Sequence, residues 1–313
     1  MRTPPFELHL PTTLEEAVEL AAQYVDTGFD WIAGGTDLLP NYKWHINCKP
    51  HVISLAKIEG MDTISSTEIG AMARLSDLET SDTLHPLVKQ AAGKVASSLI
   101  RKNATLGGNI CLDTRCYWFN QGEEWRSSID WCHKCDCGTG ADCRVIPNQN
   151  ELCVATYQGD IAPTLLVLSA KIHLLGPQGQ REMLLSDFYK LDGMTRNVLQ
   201  SGEMVVKITL PDSAAKMSGS YQKLRLRDSW DFPEAGVAAA WVGSDASTLK
   251  VATTALESIP RLHDEEVEKS QGDVPALCAA IHKVVKPVNN TSMPPRYRRA
   301  MVKVLVKRAC EGL

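Results

Sequence analysis

The residues with the clearest chemical capacity are cysteines, and they are bunched. Seven of the ten (Cys111, Cys116, Cys132, Cys135, Cys137, Cys143 and Cys153) fall in one stretch, leaving Cys48, Cys278 and Cys310 scattered through the 313 residues. The segment "WCHKCDCGTGADC", Trp131 to Cys143, holds four in thirteen positions. Thiols so close together can bind zinc, pair as disulfides or hold an iron–sulfur cluster. Disulfides are rare in a reducing compartment and mainly serve small secreted domains, so a chain of this size points to metal or redox chemistry. The opening "MRTPPFELHLPTTLEEA" has no apolar core of a secretory signal, and a cytoplasmic protein is expected. His133, beside Cys132, is expected to be a solvated histidine in a polar loop rather than a ligand.

Two glycine loops offer a second kind of chemistry. "IAGGTDLL", Ile32 to Leu39, follows a predicted strand; its glycines let the backbone turn tightly and aim successive N–H groups into one concavity, with the Thr36 hydroxyl beside them. "TLGGN", Thr105 to Asn109, has the same character. A single Gly-Gly turn is usually just a turn. Two in one domain suit a dinucleotide, whose pyrophosphate and sugars span two loops. No G-x-G-x-x-G opens a helix and no G-x-x-x-x-G-K-[ST] is present, which excludes the Rossmann and P-loop arrangements.

The elements around these loops follow from hydrophobic period. "TTLEEAVELAAQY" is predicted as a helix with Thr13 and Glu16 in a capping box. "FDWIA", "HVISL", "EIGAMA" and "EMVVKITLP" are predicted strands, "PLVKQAAGKVASSLI" is predicted as one helix, and "DIAPTLLVLSAKIHLLG" fits helix or strand. "DSAAKMSG" suggests a linker, after which "GVAAAWVGSDASTLKVATTALE" forms a hairpin about a Ser-Asp-Ala-Ser turn. In "PRYRRAMVKVLVKRAC", Val302, Leu305, Val306 and Ala309 form an apolar stripe, with Arg298, Arg299, Lys303 and Lys307 on a solvated face. Composition, 44% hydrophobic and 22% charged with net charge −4, suits a globular chain of two domains. It carries no basic excess for nucleic acid and no apolar run long enough for a membrane span.

In order, "IAGGTDLL", "NATLGGNI", "GDIAPTLLVLSA" and "KLRLRDSWDFPEAGVAAA" resemble the FAD-binding subunits of the molybdenum hydroxylase (xanthine oxidase) family, over essentially the whole chain. The resemblance implies an α+β fold: a two-lobed FAD-binding domain of the vanillyl-alcohol-oxidase type over 1–212, and a C-terminal α+β domain with antiparallel sheet and helices over 219–313. It implies that FAD is held by Trp31, Ile32, Ala33, Gly34, Gly35, Thr36, Asp37 and Leu38 in the first loop. Thr105, Leu106, Gly107, Gly108 and Asn109 would hold it in the second, with Asp160, Met204 and Lys223 completing the site. About 40 residues intervene between "GGNI" and the Asp160 segment where most such subunits have almost none. That insertion, 112–153, with "CLDTRC", "NQGEEWR" and "CVATYQGD", is similar to the one by which the 4-hydroxybenzoyl-CoA reductase subfamily binds a [4Fe–4S] cluster.

Four thiolates serve one such cluster. The subfamily pattern carries over to Cys116, Cys132, Cys143 and Cys153, while the local quartet Cys132, Cys135, Cys137 and Cys143 competes and would also permit zinc. The dispersed set is preferred because a large cluster needs ligands from several turns; Cys111 is taken as a packed thiol. Five of nineteen aromatics (Tyr117, Trp118, Phe119, Trp125, Trp131) lie in the insertion and are expected to give it a core of its own. The implied function is electron transfer through FAD and the cluster, with a molybdenum cofactor subunit and a [2Fe–2S] subunit as partners and ferredoxin as donor. Two alternatives stay open: the FAD subunit of another molybdenum hydroxylase, and a zinc-stapled interaction subunit.

Overall fold

Hydrophobic alternation, interrupted by glycine, sorts the chain into three sheets. In the computed structural model, which describes residues 2–134, 142–148 and 152–313, β1 (Glu7–His9), β2 (Phe29–Ile32) and β3 (His51–Ser54) form a parallel sheet in the order β1-β3-β2. An antiparallel sheet follows: β4 (Glu68–Gly70), β5 (Lys171–Gly176), β6 (Gly179–Leu184) and β7 (Met204–Thr209), ordered β4-β7-β5-β6. The third sheet, also antiparallel, comprises β8 (Met217–Leu224), β9 (Ala235–Val242), β10 (Asp245–Thr254) and β11 (Arg261–Leu262), ordered β11-β10-β9-β8. The helices are α1 (Leu14–Tyr24), α2 (Leu38–Lys43), α3 (Leu75–Thr80), α4 (Pro86–Lys94), α5 (Ser98–Arg101), α6 (Leu106–Ile110), α7 (Glu123–Ser128), α8 (Ala162–Val167), α9 (Asp264–Ser270), α10 (Val274–Val284) and α11 (Pro295–Ala309). No helix among the described residues is long and apolar enough to cross a membrane.

The third sheet joins two cores, and period-two alternation on β9 explains how. Ala238 and Ala240 face the first core with Tyr221 and Ala252, while Val237, Ala239 and Trp241 face a second core with Leu277, Val302 and Val306 of α10 and α11. The alanines lack bulk, so α8 lies close against that face, and every residue of α8 is buried.

Several expectations shift in detail. Thr13 caps α1 by accepting from Glu16 N (3.2 Å), but the Glu16 carboxylate reaches back to Thr12 N (2.8 Å), one residue earlier than a capping box requires. "PLVKQAAGKVASSLI" is two helices, because Ala96 turns into the left-handed region (φ 41°) and Ser97 caps a new start. "DIAPTLLVLSAKIHLLG" is both α8 and β5, divided at Ser169 (φ 57°). β8 begins at Met217, inside the expected linker, and the β9–β10 turn falls at Gly243 and Ser244, ahead of the Ser-Asp-Ala-Ser position. Arg298 is not on a solvated face. It is fully buried, donates to the carbonyls of Glu234 (2.8 Å) and Val288 (3.1 Å), and faces the Glu234 carboxylate at 3.6 Å. A guanidinium with that many acceptors can be buried; helical period alone does not reveal them.

Candidate flavin and cysteine sites

The two glycine loops touch. A Cβ on Gly34 would lie 1.8 Å from the Asn103 carbonyl oxygen, so the first loop rests directly on the chain entering the second, a contact glycine alone permits. Gly35 takes φ 68°, again a glycine conformation. Trp31 is tied by its indole N–H to the carbonyl of Glu203 (2.9 Å), and Thr36 is exposed. In the second loop Thr105 Oγ1 accepts from Gly108 N (3.2 Å) to start α6, and the amides of Leu106 and Gly107 donate to Ala73 and Ala71 (2.9 and 2.8 Å). Gly108 is exposed, and a Cβ there would meet just the Thr105 hydroxyl, leaving backbone open to a close-approaching ligand.

Asn109 links this loop to Asp160. Its side-chain oxygen accepts from Ile161 N (3.2 Å) and its carbonyl from the Tyr157 hydroxyl (2.9 Å). Asp160 accepts from the Tyr221 hydroxyl (2.8 Å) and Lys223 Nζ (3.0 Å), and Lys223 also donates to the carbonyl of Lys94 (2.8 Å). Burial raises the Asp160 pKa against the pull of Lys223 and Tyr221, and lowers that of Lys223 against the pull of Asp160. Both oxygens of Asp160 are engaged by protein groups, so this pair acts first as a polar rivet between α8 and β8. Met204 is buried in the first core opposite Leu175, so its side chain faces the core. Trp31 through Leu38, Thr105 through Asn109, Asp160 and Lys223 thus form one connected set, with Met204 behind it.

The four dispersed cysteines are also brought together. Cys116, Cys132, Cys143 and Cys153 are all buried and line one pocket with Phe119, His133 and Lys134. The sulfurs of Cys143 and Cys153 each accept a backbone N–H from two or three positions on, Ile146 for Cys143 and Ala155 for Cys153 (3.4 Å each). Such bonds favour thiolate over thiol. Burial outweighs them, leaving Cys116 pushed up to about 12, Cys153 to about 11 and Cys132 raised. A bound cation would reverse that balance, since ligating thiols deprotonate.

Spacing bears on the size of the group. In a tetrahedral zinc site, with Zn–S about 2.3 Å, the sulfurs stand about 3.8 Å apart. Among the described residues no three cysteine sulfurs lie within 4.8 Å of one another. Cys135 and Cys137, half of the local quartet, lie outside the described residues. Cys111 is half-buried against the first core, and burial pushes its thiol up to about 12.

Charged residues that sequence reasoning passed over surround both sites. Lys134 Nζ is buried on Asp113 (2.9 Å) and Thr114 Oγ1 (2.6 Å), 4.6 Å from the Phe119 ring centre. Against the burial that would raise it, Lys134 and Arg196 hold the Asp113 carboxyl below its usual range. Arg115, one residue before Cys116, is ion-paired with Asp37 of the first glycine loop and lies over Phe232 at 4.8 Å. Nothing in "CLDTRC" signals a partner so far away in the chain. His133 departs from expectation: its ring nitrogens are buried without a hydrogen-bond partner among the described residues, because the loop folds it inward beside the cysteines. Of the five aromatics only Phe119 is fully buried; Tyr117 and Trp125 are exposed, so thiols, Ile46 and Ala155 make up the rest of this small core.

Residues 4–213 match the family model described as the FAD binding domain in molybdopterin dehydrogenase. The aldehyde oxidoreductase FAD-binding subunit PaoB of Escherichia coli is 32% identical over 241 residues, 70% of this chain and 72% of that protein. The carbon monoxide dehydrogenase medium chain of Hydrogenophaga pseudoflava is 25% identical across 99% of this chain and 97% of its own. The solved carbon monoxide dehydrogenase of that organism superposes with a TM-score of 0.76 at 24% identity, covering 99% and 98% of the two chains.

Proposed function

The chain belongs to the family of FAD-binding domains of molybdopterin dehydrogenases, and from that premise we propose that it is the flavin and iron–sulfur electron-transfer subunit of a molybdenum-containing 4-hydroxybenzoyl-CoA reductase. In this reading the FAD-binding domain is of the vanillyl-alcohol-oxidase type. The two glycine loops hold the FAD pyrophosphate, and Cys116, Cys132, Cys143 and Cys153 hold a [4Fe–4S] cluster. The complex works in the cytoplasm in anaerobic degradation of aromatic compounds. The observation that carries it is the convergence of those four buried cysteines on one pocket, with Cys116 next in the chain to Arg115, which is paired with Asp37 of the first glycine loop.

FAD supplies the exchange between one- and two-electron carriers, and a cluster supplies one-electron transfer. The chain's own residues orient and insulate. Gly34 lets the first loop pack directly on the second, and Gly108 leaves backbone open to a close-approaching ligand. Arg115 fixes Asp37 of the first loop while its neighbour Cys116 enters the pocket, and Lys134 sets a buried positive charge beside the thiolates. Partner subunits would carry two [2Fe–2S] centres and the molybdenum cofactor, which would supply the two-electron, two-proton reduction of 4-hydroxybenzoyl-CoA with release of water. Ferredoxin is the donor, and no residue here touches the thioester.

A second reading is favoured by the likeness to the aldehyde oxidoreductase subunit: the FAD subunit of an oxidising molybdenum hydroxylase. Assaying the anaerobically purified complex for dehydroxylation of 4-hydroxybenzoyl-CoA against hydroxylation separates the two. Flavin, iron, acid-labile sulfide and zinc per chain test the cofactors: about four irons beyond those of the partners are expected, and zinc without that iron overturns the cluster.

A further inference from the structure

Away from the flavin and cysteine sites, the parallel sheet carries a group of side chains with metal-ligand geometry. β1 and β3 pair with Glu7 beside His51 and His9 beside Ile53. Because strand side chains alternate, Glu7 and His9 share a face, and His51 joins them from the next strand. His9 Nε2 lies 3.2 Å from His51 Nδ1, which in turn lies 3.5 Å from Glu7 Oε2. Among the described residues this is the one set of three or more histidine, cysteine or carboxylate groups whose ligand atoms all fall within 4.8 Å of one another.

Two further observations point the same way. A tetrahedral zinc ion, with Zn–N about 2.0–2.1 Å and Zn–O about 2.0–2.2 Å, holds its ligand atoms about 3.3–3.5 Å apart. The separations of 3.2 Å between the ring nitrogens and 3.5 Å from His51 to the carboxylate oxygen are close to that spacing, and Glu7 and His9 lie within 4.8 Å of each other. The rings are also held in place: Tyr24, at the end of α1, stacks on His51 (centroids 3.9 Å apart, 24° between planes) and on His9 (4.5 Å, 30°). Ligands fixed before binding lose little entropy on capturing an ion.

We propose that Glu7, His9 and His51 form a zinc site with a water-filled fourth position, which clasps the three-residue strand β1 to β3. Two imidazoles and one carboxylate suit zinc and exclude the hard cations, which prefer all-oxygen sets. The Glu7 side chain is 65% exposed, leaving an entry path for the ion. The site stands apart from the cysteine pocket, so it does not depend on the cofactor assignment above.

Cobalt(II) titration of the full-length flavoprotein tests it, since thiolate ligation gives intense near-ultraviolet charge-transfer bands and nitrogen–oxygen ligation does not. The wild type is expected to take up one equivalent showing only the visible bands of tetrahedral cobalt. His9→Ala/His51→Ala should lose that equivalent, and Glu7→Gln should weaken it at least tenfold while preserving the fold. Saturating zinc should raise the wild-type melting midpoint by roughly 5 °C and that of the double variant not at all. Equal stoichiometry in wild type and both variants, or cobalt uptake showing thiolate bands alone, overturns the proposal.

Discussion

Replacing Asp160 with Asn probes the rivet between the flavin domain and the third sheet. The carboxylate and the Lys223 ammonium are 2–3% exposed and 3.0 Å apart. Removing one partner of such a pair costs about 3–5 kcal/mol, because the other charge stays buried without compensation. Two features place this substitution at the low end. The Asn oxygen still accepts from the Tyr221 hydroxyl, preserving about 1 kcal/mol, and Lys223 keeps its bond to the Lys94 carbonyl. We expect about 3 kcal/mol, measured by denaturant unfolding of the flavin-free chain. Asp160→Asn/Lys223→Met should recover at least half of that, since no charge is then stranded. Lys223→Met alone should be less harmful at low pH, where Asp160, its pKa already raised by burial, takes up a proton. If Asp160→Asn unfolds within 1 kcal/mol of wild type while flavin affinity collapses, Asp160 is a ligand contact and the structural reasoning fails.

Other consequences are open to test. Cys116→Ser and Cys153→Ser should each lower bound iron, whereas Cys278→Ser, outside the pocket, should leave iron content unchanged; equal loss in all three would count against the dispersed quartet. Gly34→Ala forces a methyl into the Asn103 carbonyl and should separate the loops, reducing flavin content at least tenfold, while Gly108→Ala should fold with less than about 1 kcal/mol of change. His263 is fully buried, with Nε2 on Thr253 (2.9 Å) and Nδ1 on Glu266 (3.3 Å), and burial lowers its pKa to about 3. Between that value and about 6.5 the unfolded chain binds a proton that the folded chain does not, so stability falls as pH drops, by up to about 1.4 kcal/mol per unit. His263→Gln should flatten that slope in pH-dependent unfolding; an unchanged slope would assign it to other groups.

Periodicity and glycine placement made much of the architecture legible. β2, β3 and β7, the α1 helix and the β9–β10 hairpin lie close to where alternation put them, and the apolar stripe of α11 is buried. What stayed hidden is set by partners distant in sequence. Arg298 belongs to a helix face that looks solvated until Glu234 and Val288 arrive from other elements. The break at Ala96 depends on a single positive φ that alanine does not advertise. The same holds at the candidate sites. Glycines and cysteines stand out by type, whereas Lys134, Arg115 and Tyr221 matter through pairings with Asp113, Asp37 and Asp160 that no local motif encodes. His133 shows the converse limit: its polar neighbours suggested solvent, and the fold turned it inward.

The bracing of the cysteine pocket bears on how such a pocket could be inherited or transplanted. Ser258 donates to the carbonyl of Cys153 (3.0 Å), Asn290 donates to that of Val154 (2.7 Å), and Tyr117 N donates to the carbonyl of Asn290 (3.0 Å). These braces come from beyond residue 213, where the family match ends. A graft of residues 112–153 onto a relative without them would carry the thiols and leave behind part of what aims them. What aims the thiols is therefore spread over two distant stretches of the chain, and homologues that carry the cysteines are expected to carry Ser258 and Asn290 with them.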